Sequence, residues 1–391
     1  MISFEAKTND IILSPLVEDS VKTIIADSVN NTLSLKSHVL LATSGTRQKK
    51  SARTMKAVLL KKDAILLSAK AVNDALMTNS KSIWLNCLPR HHIASLGMSA
   101  RAYLTGSKLI DISSYDKKWS DKEFVDAIYA KSVSHSSLVP TQVYDLVKNQ
   151  IQAPPSLKCL LVGGGSLCES LFYEARRLGW PLFMTYGMTE TASQIATSHY
   201  DDITFRDGAP YLKLLEHVQV SIDDDSLLMI KSKSLLSYYL YLEKESLSYE
   251  NPVKDGYFKT QDSVCLEKSR YLRFLNRHGD EFKISGERVS FRQLNKVFME
   301  EKMRSKLSPT LALYPYKSKR EGLVITLLLT KKDASGIKDS DLKSLIKNFN
   351  MNVMPYEKIR RLLVVKDSVY TELFKLKKNA VENSILKDIA L

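Results

Sequence analysis

Between residues 38 and 190 short apolar runs alternate with amphipathic stretches, and that alternation predicts a layered α/β domain. The runs His38 to Ala42, Ile83 to Leu88, Ser137 to Val139, Lys158 to Val162 and Leu182 to Thr185 read as strands. The stretches between them carry helix start and stop signals. Ser120 and Glu123 make a capping box ahead of Phe124, Ile128 and Tyr129. Pro140 opens a helix, since its fixed φ suits a first turn and its missing N–H is an orphan there anyway, and Val143, Leu146 and Val147 supply the apolar stripe. A third helix, Glu169 to Leu178, meets Gly179, which accepts the positive φ of a C-cap. Each predicted strand runs out into small or polar residues: TSGT, PRHH, PTQ, GGGS and YGMTET. In open α/β sheets the space beyond the carboxyl ends of strands is where ligands bind.

A second region begins near residue 277. Helix-like SFRQLNKVFMEEKM precedes strand-like LALYPY and LVITLLLT, a helix around Asp341 to Phe349, the strand RLLVV and a final basic amphipathic stretch. This predicts a compact α+β unit, so the chain divides into residues 1–276 and 277–391. There is no internal repeat and no low-complexity linker.

Length and composition agree with that division. A chain of 391 residues that is 44% hydrophobic buries a substantial core. No run reaches the roughly 18 apolar residues of a membrane helix, and the start, MISFEAKTND, lacks a basic leader with an apolar run, so no membrane insertion and a cytoplasmic location are expected. Cys87, Cys159, Cys168 and Cys265 lie far apart without metal-ligand spacing and read as buried or incidental thiols. The net charge of +14 raises a nucleic-acid reading. Basic residues are scattered among acids and no nucleic-acid-binding module is present, so the charge serves polyanionic small molecules at least as well.

Three clusters carry candidate chemistry. Thr43-Ser44-Gly45-Thr46, followed by RQKKSARTMK, could wrap phosphate oxygens with hydroxyls and backbone N–H groups, or be a solvated basic loop. Gly163-Gly164-Gly165-Ser166 lets the backbone approach a ligand closely, or makes a tight strand-to-helix turn. In Tyr186-Gly187-Met188-Thr189-Glu190-Thr191 an aromatic that can stack on a base, a hydroxyl for a phosphate and a carboxylate for Mg²⁺ lie close together. A helix N-cap at Thr189 would leave the tyrosine and glycine unexplained. Neither the dinucleotide-binding nor the Walker glycine pattern occurs.

Read in order, TSGT, LPRHH, GGGS, YGMTET, YFKTQD, NRHGDEFKISGE and FKLKK resemble the core motifs of the adenylate-forming superfamily of acyl-CoA synthetases, luciferases and peptide-synthetase adenylation domains, from about Val39 to Val381. WLNCLPRHHIASLG, SLVPTQ, LLVGGGSL and TYGMTETASQ are most similar to the o-succinylbenzoate:CoA ligases of menaquinone biosynthesis. The resemblance implies a large layered adenylation domain with a smaller C-terminal lid, and an enzyme that adenylates a carboxylic acid with ATP and Mg²⁺ and passes the acyl group to coenzyme A. It implies roles by position. Thr43, Ser44, Gly45 and Thr46 would hold the β- and γ-phosphates, with Lys56 as the loop lysine; Gly163, Gly164, Gly165, Tyr186 and Gly187 would form the adenine slot. Thr189 would touch the α-phosphate, Glu190 would ligate Mg²⁺, Asp262 and Arg277 would hold the ribose, and Lys375 would bridge the acyl carboxylate and the α-phosphate. His92 and Ser95 would border the acyl pocket, while Arg101 and Ser137 match the positions that hold a second carboxylate.

The chain also departs from the pattern. About five extra residues interrupt the phosphate loop, Gly279 and Phe374 replace the usual hinge and pre-lysine residues, and the hundred or so residues that normally precede TSGT are reduced to some forty. A shortened front would expose surface that a partner subunit of a homo-oligomer could cover. Two other functions compete with this reading: a ligase for another aromatic or dicarboxylic acid, and a non-catalytic nucleotide-binding homologue.

Overall fold

The computed structural model describes residues 2–391 apart from 15–16, 18, 33–34, 43–47, 50–51, 115–118, 200–202, 244–245, 279–280, 285–286, 309, 319–321, 371–375 and 377. Three sheets dominate it. The largest has 12 strands among the described residues. One half is parallel, in the spatial order Lys108–Asp111, Ile83–Asn86, His135–Leu138, Cys159–Val162 and Leu182–Met188. The other half, from Ser193–Thr197 through Leu212–Leu214, Tyr271–Arg277, Tyr257–Glu267 and Leu227–Lys231 to Gln219–Ile222, is antiparallel.

Four of the five parallel strands follow predicted runs with shifted ends, and the edge strand Lys108–Asp111 was not among those predicted. The Ser137 strand begins at His135, and the Leu182 strand runs on to Met188, so Tyr186 and Gly187 lie on it instead of beyond it. His38–Ala42 is a strand but belongs to a second sheet, paired with Asp10–Ile12 and Ala52–Lys61, which in turn pairs with Tyr238–Glu243. The predicted helices are present as Asp121–Lys131, Pro140–Lys148 and Glu169–Arg177. Ser120 caps the first by accepting the Glu123 N–H, and Gly179 follows the last at φ +84°. Their apolar faces close on the parallel strands around Phe124, Leu171, Phe172 and Trp180, all fully buried.

The C-terminal sheet orders Ala312–Ser318, Gly322–Thr330, Ile359–Val365 and Ile385–Ala390, and Asp339–Met351 packs beside it. Helix Phe291–Ser305 belongs to both sides. Phe291, Leu294 and Phe298 lie in the C-terminal core, while Met299 and Met303 pack against the core of the large sheet. The Tyr144 hydroxyl reaches across to the carbonyls of Leu307 (2.8 Å) and Lys302 (3.3 Å). Among the described residues no helix is long and apolar enough to cross a membrane.

Candidate active site

The carboxyl end of the strand Leu182–Met188 organises the site. Gly187 pairs with Gln194, and a Cβ there would fall 2.0 Å from the Ser193 carbonyl oxygen, so the two strands close only because the residue is glycine. The chain then turns through Thr189–Thr191, where the Thr191 hydroxyl donates toward the carbonyls of Ser193 (2.8 Å) and Met188 (3.0 Å) and accepts the Met188 N–H. The glycine loop Gly163 to Gly165 lies beside this strand end. A Cβ on Gly163 would sit 2.4 Å from the Thr185 hydroxyl, and Gly164 stands at φ +76°.

Tyr186 donates from its hydroxyl to Asp262 Oδ2 at 2.7 Å. Arg277 clamps the same carboxylate, Nε to Oδ1 at 2.5 Å and Nη2 to Oδ2 at 2.9 Å. Asp262 and Arg277 are direct partners across the strand pair Tyr257–Glu267 and Tyr271–Arg277, so sheet register sets the clamp. Burial first, and then the Asp262 charge, push the Tyr186 hydroxyl well above its ordinary pKa, which keeps it a donor. With its side chain only 1% exposed, Asp262 is shut behind these two partners.

Glu190 is held from the second sheet. Tyr239 donates to Glu190 Oε1 at 3.0 Å, and the Leu236 N–H donates to the Glu190 carbonyl at 2.8 Å. Lys56, on the strand Ala52–Lys61, places its ammonium 3.4 Å from the centre of the Tyr239 ring and 5.5 Å from that of Tyr241. Burial lowers the Lys56 pKa, and the Glu190 and Glu250 carboxylates oppose that shift. Tyr239 is a functional candidate that sequence reasoning missed. Its tract, YYLYLE, alternates like any half-buried strand, and only the long-range pairing with Ala52–Lys61 brings it to Glu190.

On the other side of the strand end lies helix Ile93–Thr105, with His92 at its N-cap and Ser95 buried on its inner face. Arg101 on this helix is 2% exposed. Its Nη2 donates to Gln194 Oε1 at 2.7 Å, and its guanidinium carbon is 5.4 Å from the centre of the Trp84 ring. Burial lowers its pKa to about 10, which leaves it charged at neutral pH. Next to Trp84, with ring centres 4.9 Å apart, His135 is pushed down to about 4 by burial, Lys158 and Arg101, and so is neutral. Arg101 Nε, Gln194 Nε2 and Trp84 Nε1 are buried donors without an acceptor among the described residues. Ser137, 8% exposed, is the penultimate residue of the strand His135–Leu138.

The expected residues thus form three groups around one strand end: Tyr186 with Asp262 and Arg277, Glu190 with Lys56, and Arg101 on the helix capped by His92. Thr43, Ser44, Gly45 and Thr46 lie outside the described residues, as do Lys375 and Gly279. Among the described residues no cluster of three or more His, Cys, Asp or Glu could hold a metal ion. A lone carboxylate such as Glu190 suits Mg²⁺ that takes its other ligands from phosphates and water.

Residues 43–230 match the AMP-binding enzyme family. The chain is 29% identical over 229 residues to a 2-succinylbenzoate–CoA ligase of Staphylococcus epidermidis, covering 57% of this chain and 47% of that one. It is 26% identical over 288 residues to a 2-succinylbenzoate–CoA ligase of Bacillus cereus, covering 71% and 57%. The chain spans about half the length of the curated relatives it matches. Among solved structures, the o-succinylbenzoate CoA synthetase of Bacillus subtilis in complex with its acyl-adenylate intermediate superposes with a TM-score of 0.69 at 24% identity, over 90% of this chain and 70% of that one. The same enzyme with ATP and magnesium ion gives 0.67 at 24% identity, over 88% and 69%. These likenesses show that the chain shares the fold of that synthetase.

Proposed function

We propose, from the match of residues 43–230 to the AMP-binding enzyme family, that the chain is an acyl-CoA ligase that converts o-succinylbenzoate, with ATP and Mg²⁺, to the acyl-AMP and then to the CoA thioester. The observation that carries the choice of acid is Arg101: a buried, charged guanidinium whose Nε, together with the Gln194 amide, has no acceptor among the described residues. A substrate carboxylate is the group that would complete it, with Ser137 alongside, leaving the second carboxylate for adenylation. The curated relatives, named for a dicarboxylic substrate, support the same acid.

In this reading Tyr186 and Gly163 to Gly165 border the adenine, Asp262 and Arg277 meet the ribose, and Thr43 to Thr46 with Lys56 take the phosphates. Thr189 touches the α-phosphate and Glu190 holds the cation. His92 and Ser95 border the acyl group, and Lys375 neutralises the charge that builds as pyrophosphate leaves. The chain divides near residue 277 into an adenylation domain and a lid that turns about Gly279 between the half-reactions. The reaction takes place in the cytoplasm, where ATP and CoA are available.

Incubation with ATP, Mg²⁺, CoA and a panel of acids, with AMP and thioester quantified separately, tests the proposal. Equal yields of AMP and o-succinylbenzoyl-CoA are expected, and Lys375→Ala and Glu190→Ala should abolish both. Turnover of another acid with indifference to o-succinylbenzoate overturns the substrate assignment. Loss of AMP formation with every acid overturns the ligase reading.

A further inference from the structure

Glu190 is the carboxylate assigned to the cation, yet it sits on a turn of three residues that by itself fixes no rotamer. Its fixation comes from the second sheet. The Leu236 N–H holds the backbone of Glu190, and the Tyr239 hydroxyl takes one side-chain oxygen, leaving Oε2 to a cation. Tyr239 is itself 7% exposed, and it pairs with Val58 while Tyr241 pairs with Lys56, so register locks the ring. The Lys56 ammonium rests 3.4 Å from the ring centre.

We propose that Tyr239 is a positioning residue that aims Glu190 at the metal of a metal–nucleotide complex, with Lys56 seating the Tyr239 ring. The inference rests on the ligase reading and extends it to a residue that touches neither nucleotide nor acid. A hydrogen bond from a neutral donor to a charged acceptor is stronger than one between neutral groups, so loss of the aim should weaken the metal-dependent part of binding by about tenfold or more. The metal-independent part should be untouched.

The test measures binding, apart from turnover, with two probes: AMP without metal, and ATP with Mn²⁺ followed by electron paramagnetic resonance of the bound ion. Tyr239→Phe removes the hydroxyl alone and keeps the ring that Lys56 covers. The expected result is unchanged AMP affinity and a loss of about tenfold for Mn²⁺–ATP, with Glu190→Gln showing the same pattern. Tyr239→Phe that binds Mn²⁺–ATP like the wild type, or loses both ligands equally, overturns the proposal. Wild-type protein that binds neither probe overturns the ligase reading and this inference with it.

Discussion

Two charged groups flank the same strand end and are finished in opposite ways. On one side Asp262 is closed: Arg277 takes both of its oxygens, Tyr186 adds a third bond, and the carboxylate is 1% exposed. On the other, Arg101 is buried as deeply but open: among the described residues its guanidinium makes one side-chain bond, to Gln194, and orphan donors lie around it. A ligand reaching Asp262 has to compete with partners already present, so its net gain there is small. A ligand reaching Arg101 relieves an unmet demand in a low-dielectric space, where a charge-assisted pair is worth more. In the proposed ligase the closed side would meet the nucleotide. The open side suits the discriminating step, because an acid without a second carboxylate leaves a buried cation unsatisfied.

The largest effect that could break this contrast is expected at Arg101. Arg101→Met keeps the volume and removes the demand. It should lower kcat/KM for a dicarboxylic acid by ~100-fold or about 3 kcal/mol, while thermal unfolding stays level or moves upward, as for other buried charges replaced by apolar groups. Equal losses for mono- and dicarboxylic acids would make Arg101 structural.

Asp262→Asn should show a smaller, opposite profile. AMP affinity falls about tenfold, and stability falls by about 1–3 kcal/mol because Arg277 and Tyr186 lose a charged acceptor; equilibrium dialysis and denaturant unfolding read the two separately.

The smallest effect is a slope. His135 is held at about 4 against an ordinary 6.5, so the unfolded chain binds more protons between those values and stability rises as pH increases through that window. His135→Gln should flatten that rise in urea titrations at successive pH values. Arg101→Met should shrink it, since one of the charges that depress His135 is gone.

Most of the parallel half of the large sheet was legible: Ile83–Asn86, Cys159–Val162 and Leu182–Met188 are apolar runs bounded by turn residues, and Ser120, Pro140 and Gly179 mark helix ends by local chemistry, whereas His135–Leu138, polar at three of four positions, was legible only at its end and Lys108–Asp111 was missed. The antiparallel half was not legible. Tyr257–Glu267 and Tyr271–Arg277 owe their site residues to register, and register is a relation between distant segments. Tyr186 was placed beyond its strand because Gly187 reads as a breaker; the pairing with Gln194 overrides that local tendency. Of the expected residues, Asp262 and Arg277 form one ion pair, and Glu190 and Lys56 both meet Tyr239. Tyr239 and Gln194 came only from the fold, since neither carries a local pattern that separates it from an ordinary strand residue.

Helix Phe291–Ser305 has an effect on how this protein can be handled. It gives Phe291, Leu294 and Phe298 to one core and Met299 and Met303 to another, while Tyr144 is tied to the carbonyls at and just past its end. A recombinant fragment ending at residue 276 would therefore strip an oily seam from the front half and leave the Tyr144 hydroxyl without its acceptors. Fragments that keep this helix with the large sheet should stay dispersed at concentrations where the shorter ones precipitate.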